Sequence, residues 1–336
     1  MAEPSALLTV AQAAQRLAAG ELVAFPTETV YGLGADADSD AAVAKIFAAK
    51  GRPADHPLIV HVASRAQVSG YSAAVPPFAE RLMAAFWPGP LTVILPRLPG
   101  VASAAAGGQN SIGLRCPAHP VALELLNAAL ALGVTGVAGP SANQFGRVSP
   151  TTAAHVLQEF GSAVPVLNGG PCAVGIESSI VDCTRGQPVL LRPGVLTTAQ
   201  LEAACGEPVL SPAHLPSSLP QDAPRAPGTL AAHYAPNAKL RLMDAQAIQT
   251  ALDVLGPEAA HIAVYARTIV RITSSNVVYR RMPDDALATA QQLFAVLREF
   301  DAQGVKLIWI ETLPTNAPDA ADWDGVRDRL ARAAAA

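Results

Sequence analysis

Glu21-Leu22-Val23-Ala24-Phe25-Pro26-Thr27-Glu28-Thr29-Val30-Tyr31-Gly32-Leu33-Gly34-Ala35-Asp36 decides how the chain is read. Five residues, 21–25, make a short buried strand that Pro26 closes, and a turn rich in hydroxyls and glycines follows. The spacing Gly32-x-Gly34-x-x-Ala37 formally fits a dinucleotide fingerprint. Two features oppose that fit: the glycines follow a polar turn instead of a strand, and Asp55, where a ribose-binding acid is due, sits in a proline-rich loop. A plain turn with left-handed glycines is the other reading.

Outward from this stretch, helical and strand patterns alternate. Residues 7–19 have helical periodicity. Helices follow near 41–49, 77–86, 121–131 and 151–160, with strands at 58–62, 91–95, 112–115, near 136, near 166, at 179–182 and at 189–192. This describes a mixed α/β domain over 1–205. Residues 206–237 carry prolines at 208, 212, 216, 220, 224, 227 and 236 without an apolar period, the composition of a semi-rigid linker. Over 238–336, strands at 240–243, 262–265 and 305–311 alternate with helices at 245–255 and 286–300 and a closing helix, which predicts a small parallel α/β domain. The alanines at 333–336 are expected to fray.

Composition excludes several classes. Of 336 residues, 51% are hydrophobic and 15% charged, which is globular and far from a disordered profile. A formal charge of −4 provides no diffuse positive field for nucleic acid or anionic membrane. Cys116, Cys172, Cys183 and Cys205 are widely spaced with no C-x-x-C, so buried thiols are expected instead of zinc ligands or a disulfide framework. Residues 1–22 read as an amphipathic helix rather than a signal peptide, and the apolar stretch 121–139, interrupted by Glu124, Asn127, Gly133 and Gly136, reads as a helix followed by a strand. The expectation is a cytoplasmic protein.

Basic residues are few, and they sit in stiff turns. Lys50 ends a helix, where it also suits the helix dipole as a cap. Arg52 lies between Gly51 and Pro53 and presents a fixed fork suited to phosphate oxygens. His61 ends an apolar strand, as a hydrogen-bonded core histidine or a ligand contact. Gly139-Pro140-Ser141-Ala142-Asn143 through Ser149-Pro150-Thr151 offers hydroxyl and amide side chains, with open backbone N–H groups, as an anion cradle. Asn143 replaces the second glycine of a nucleophile elbow, which argues against a serine nucleophile. Ser149 or Thr151 is a candidate N-cap. Arg115 and Arg192 each occupy a turn after a strand, and Gly175-Ile176-Glu177-Ser178-Ser179 enters another strand with hydroxyls at its mouth. Arginines at several strand ends converge where open α/β sheets bind ligands. No G-x-x-x-x-G-K, H-E-x-x-H or Cys/His cluster occurs.

Taken in order, F-P-T-E-T-V-Y-G-L-G, K-x-R-P with P-L-I-V-H, W-P-G-P-L-T, G-L-R-x-P, the P-S-A-N block with S-P-T, G-x-E-S-S-I-V-D and L-R-P-G resemble the YrdC-like family of threonylcarbamoyl-AMP synthases over residues 7–195. Pro227-Gly228, His233-Tyr234-Ala235-Pro236 and the second domain resemble its long, two-domain branch. The resemblance implies a YrdC-like twisted mixed sheet with helices, plus a small Rossmann-like parallel domain. It implies a nucleotidyltransferase that makes threonylcarbamoyl-AMP and pyrophosphate from ATP, L-threonine and bicarbonate, for the threonylcarbamoyladenosine (t6A) modification of tRNA. The product would pass to a tRNA threonylcarbamoyl-transfer complex, with tRNA contact weak or indirect, and Mg2+ would arrive on the ATP phosphates.

By the same resemblance, Lys50, Arg52, Ser141 and Asn143 form the catalytic set. His56, Ser111, Ser149, Arg192 and Tyr234 join Lys50, Arg52 and Ser141 around ATP. Thr29, Tyr31, His61, Arg115, Gly139 and Ser178 surround threonine, with Arg115 on its carboxylate. Two departures stand out: Thr229-Leu230-Ala231-Ala232 are neutral where family linkers often carry basic residues, and His56 stands where asparagine is frequent. The linker is expected to act as a lid over a hydrolysis-prone intermediate. Two rival readings share the core: an RNA-binding module, which the charge and the isolated arginines disfavour, and a carbamoyl-transfer domain of the hydrogenase-maturation type, whose zinc motifs are absent.

Overall fold

The computed structural model describes residues 7–215, 224–268 and 270–336. Residues 1–6 of the expected first domain and 216–223 of the expected linker lie outside the described residues. The chain divides into one unit of Met1–Phe145 with Ser149–Thr229, and a second of Gly146–Val148 with Leu230–Ala336.

In the first unit the strands are β1 (Leu7–Leu8), β2 (Val23–Phe25), β3 (Gly32–Asp36), β4 (Ile59–His61), β5 (Leu91–Pro96), β6 (Ser111–Arg115), β7 (Val137–Ala138), β8 (Val166–Leu167), β9 (Ser179–Asp182) and β10 (Val189–Arg192). The helices are α1 (Val10–Ala18), α2 (Asp40–Lys50), α3 (Pro77–Phe86), α4 (Pro120–Ala131), α5 (Ala153–Phe160) and α6 (Thr198–Cys205). One mixed sheet runs β1-β8-β2-β3-β7-β4-β6-β5-β9-β10. Strand alternation divides its faces. Val60, Val93, Leu114 and Val181 pack with Ile46, Phe47, Leu82 and Leu201 of α2, α3 and α6 in the main core. Their neighbours Ile59, Ile94 and Ile180 face the other way, and Ala226 covers them.

Local chemistry sets the helix ends. Ser39 caps α2 through its hydroxyl, and Gly51, at φ 61°, ends it in the left-handed region and swings Arg52 off the axis. The N-cap of α5 is Thr152, not Ser149 or Thr151, because its hydroxyl is the one that accepts from His155 N.

The stretch 32–36 is a strand and not a turn. Gly32, Leu33 and Gly34 pair antiparallel with Phe25, Ala24 and Val23. Neither glycine has positive φ. Both are glycine because the Phe25 ring lies across them: a Cβ on either would come within 3.0 Å of it. The dinucleotide fingerprint and the left-handed turn are both set aside by this packing.

The second unit has β11 (Lys239–Met243), α7 (Ala245–Leu255), β12 (Ile262–Ala266), β13 (Val277–Arg281), α8 (Ala286–Ala302), β14 (Leu307–Glu311) and α9 (Asp324–Ala334). Its strands run β11-β14-β12-β13, parallel throughout. The sequence reading lacked β3, β13 and α6, and also β1, since residues 7 and 8, expected to begin the helix over 7–19, pair with β8 while Thr9 caps α1. The terminal alanines do not fray from residue 333: α9 continues to Ala334, and Ala333 is buried.

Candidate active site

Topology brings the strand-end residues to one edge. Strands β4 and β6 are parallel, β5 is antiparallel to β6 and parallel to β9, and β10 runs back along β9. The ends of β4, β6 and β10 therefore meet the starts of β5 and β9, which gathers His61, Arg115, Gly89, Ser178 and Arg192. On β6, Ser111, Gly113 and Arg115 share a face by the two-residue period, so Ser111 and Arg115 lie about 13 Å apart along one strand. At Ser111 and Gly113 a small pocket is lined also by Ile59, Thr92, Ile94 and Ile180, with Arg225 and Pro227 from the linker.

The Arg115 end is closely built. Arg115 is 4% exposed and donates from Nη2 to Glu28 Oε1 at 2.7 Å, from Nη1 to Thr29 Oγ1 at 2.8 Å and from Nε to the Gly89 carbonyl at 3.3 Å. Thr29 is held by Thr27 at 2.9 Å. His61 is buried beside it, edge-on to Phe25 at 5.5 Å. Burial, and secondarily the Arg115 charge, push the His61 imidazole down to about 3, so the ring is neutral at ordinary pH. Its Nδ1 has no hydrogen-bond partner among the described residues. Gly139 makes room for that nitrogen, since a Cβ there would approach it to 2.9 Å. Tyr31 is a brace: its hydroxyl donates to the Gly170 carbonyl at 2.8 Å and accepts from Gly169 N at 3.1 Å.

The Lys50 end is held differently. Lys50 is buried, and instead of capping its own helix it donates to the carbonyls of Ser141, at 2.6 Å, and Asn143. Burial, with Arg52 nearby, pushes its amine well below the usual value. Arg52 donates to the Pro57 carbonyl at 2.9 Å and lies over the Phe145 ring at 5.6 Å. His56 meets the same ring edge-on at 5.5 Å, and burial followed by the Arg52 charge lowers its pKa. Ser149 donates to Glu177. Arg192 donates to Ser178 O at 3.1 Å, Ser178 Oγ at 3.2 Å and Pro227 O at 2.9 Å, so a residue expected at ATP and one expected at threonine touch.

One expectation fails here. The Gly139–Phe145 backbone is not an open N–H cradle: Gly139 N donates to Ile59 O, Ala142 N to Tyr31 O, Asn143 N to Ser141 O, Gln144 N to Glu159 and Phe145 N to Lys50 O. Its first part continues the pairing of β3, with Leu33 N donating to Pro140 O at 2.7 Å, and the N–H groups named above are spent on the sheet, on the segment itself, on Glu159 and on the end of α2.

Sequence reasoning missed Glu28, Thr92, Phe145 and the rim contacts. Arg225 joins Asp55 at 2.7 Å, donates from Nη2 to Gly107 O at 3.2 Å, and its backbone N donates to Gln109 Oε1 at 2.7 Å. The signal for Glu28 was available: an acid inside an otherwise uncharged, buried motif needs a cationic partner.

Tyr234 belongs to the second unit. At 1% exposure, its ring lies between Phe294, stacked at 5.6 Å, and Arg329, 5.2 Å from its centroid. Its φ of 60° is left-handed. Among the described residues, no group of three or more His, Cys, Asp or Glu could hold a metal ion, the four cysteines are free and buried, and no helix is long and apolar enough to cross a membrane.

Comparison with known proteins gives concordant matches. Residues 15–194 match the Sua5_yciO_yrdC family profile, described as telomere recombination, and residues 196–335 match the threonylcarbamoyl-AMP synthase C-terminal domain. A threonylcarbamoyl-AMP synthase of Pyrococcus abyssi is 40% identical over 299 residues, covering 87% of this chain and 85% of that protein. One of Bacillus subtilis is 38% identical over 335 residues, covering 97% and 92%. The crystal structure of P. abyssi Sua5 complexed with L-threonine superposes with a TM-score of 0.84 at 36% identity, covering 97% and 94%.

Proposed function

The chain belongs to the threonylcarbamoyl-AMP synthase family, and from that premise we propose that it is a nucleotidyltransferase joining L-threonine, bicarbonate and ATP into threonylcarbamoyl-AMP. The observation that supports this reading is a buried arginine held at the end of β6, with a buried lysine–arginine loop on the same unit.

In this reading Arg115 receives the threonine carboxylate, with Thr29, His61 and Ser178 around the amino acid and Tyr31 and Gly139 shaping the wall. Lys50, Arg52, Ser141 and Asn143 face the triphosphate, joined by Ser111, Ser149 and Arg192, with His56 beside Phe145. The threonine amine and bicarbonate give the carbamate with loss of water; the carbamate is already an anion, so its oxygen attacks the α-phosphorus without a general base as the bond to pyrophosphate breaks. Rate enhancement then comes from alignment and from neutralising charge on the phosphates. Mg2+ enters as part of the ATP substrate, held mainly by phosphate oxygens.

The neutral pairing of Ala226 with the isoleucines, and the Arg225 contacts to Asp55, Gly107 and Gln109, support the linker as a cover that keeps water from the mixed anhydride. The product would pass to an enzyme that transfers the threonylcarbamoyl group to tRNA. Neither an RNA-binding module nor a hydrogenase-maturation domain accounts for relatives that are synthases over nearly the whole chain.

Pyrophosphate release measured with ATP, L-threonine and bicarbonate, each omitted in turn, tests the proposal. Release is expected to require all three; release that ignores threonine and bicarbonate would reject it.

A further inference from the structure

We propose that Glu28 is a positioning residue for the threonine subsite, acting through Arg115. This rests on the reading, made above, that Arg115 takes the threonine carboxylate.

A guanidinium has five N–H groups on three nitrogens. In Arg115 each nitrogen is engaged once, by Gly89 O, Thr29 Oγ1 and Glu28 Oε1. Contacts to all three nitrogens fix both the plane of the fork and its rotation within that plane. They leave one N–H on each terminal nitrogen, the number that a carboxylate takes in a two-pronged contact.

Of the three acceptors only Glu28 carries charge. It is buried, its Oε2 accepts from Ala118 N at 3.0 Å, and its backbone carbonyl accepts from Val174 N at 2.7 Å, so the carboxylate is itself anchored. A buried arginine without that partner would retain only two neutral acceptors, and its fork would swing. Glu28 touches Arg115 on Nη2 alone, so it can orient the guanidinium while leaving N–H groups for a ligand.

The test is a double-mutant cycle on the full-length enzyme, with Glu28→Gln, Glu28→Ala, Arg115→Ala and the double variant Glu28→Ala/Arg115→Ala. KM for L-threonine, KM for ATP and kcat are read from pyrophosphate release, and melting temperature reports folding. Losing the charged acceptor in Glu28→Ala is expected to raise threonine KM about tenfold to a hundredfold, with ATP KM changed less than about twofold. In the Arg115→Ala background the same substitution should raise threonine KM no further. Glu28→Gln, which keeps the shape, should lie between wild type and Glu28→Ala, and it carries the comparison if the alanine variant does not fold.

A fully additive rise, or equal rises in the KM values of ATP and threonine, would overturn the role assigned to Glu28. If Arg115→Ala alone leaves threonine KM unchanged, the subsite reading fails instead, so the two failures are distinguishable.

Discussion

Arg115, at the end proposed for threonine, is matched by a carboxylate of its own chain; Lys50, at the end proposed for phosphate, is matched by carbonyl oxygens. Both side chains are buried, but the first sits in an ion pair and the second donates to carbonyl oxygens. The difference suits the ligands. A single carboxylate needs an oriented fork more than it needs net charge, whereas a triphosphate brings several negative charges and repays a cation held by dipoles.

The largest effect that could break this distinction is on folding. Arg115→Ala strands Glu28 as a buried charge and is expected to cost about 3–5 kcal/mol in denaturant titration. Lys50→Met leaves only carbonyl acceptors behind and is expected to cost about 1–3 kcal/mol. Equal losses would erase the contrast between the ends.

A second, smaller test concerns shape. Gly139→Ala pushes a methyl against His61 Nδ1 and the Phe25 ring, so a loss of about 1–3 kcal/mol is expected, with threonine KM raised and ATP KM unaffected. A change confined to ATP KM would assign Gly139 to the other end.

The smallest concerns the rim. Arg225→Ala removes an ion pair whose side chains are half exposed, at 51% and 62%, so stability should change by less than about 1 kcal/mol. If the rim keeps water out, threonylcarbamoyl-AMP recovered per pyrophosphate should fall; an unchanged ratio in the two product assays would leave Arg225 with no shielding role.

Much of the frame was legible in sequence because it is written locally. Helices α3 and α7 have the boundaries that their apolar periods and flanking prolines or glycines suggest. Strand β3 was hidden because glycine usually marks turns, and the Phe25 ring on one neighbouring strand, with Val137 of the other beside Gly34, explains glycines there. Strand β13 carries Val277-Val278-Tyr279-Arg280-Arg281, too polar at its end to stand out without its partner β12. In the site, Arg115 and Arg192 were visible from their turns, while the partner of Arg115 lies 87 residues away in Glu28. No periodicity reaches that far, and the N–H groups of the 139–145 segment looked open for the same reason.

That segment has one more consequence. Tyr31 O accepts from Ala142 N while Leu33 N donates to Pro140 O, so the strand that follows Tyr31 and the segment that carries Ser141 and Asn143 are joined in one ladder. Ladder registers are discrete, and a slip of one residue turns every side chain to the wrong face. The two strands therefore have no graded way to slide past one another while the ladder stands.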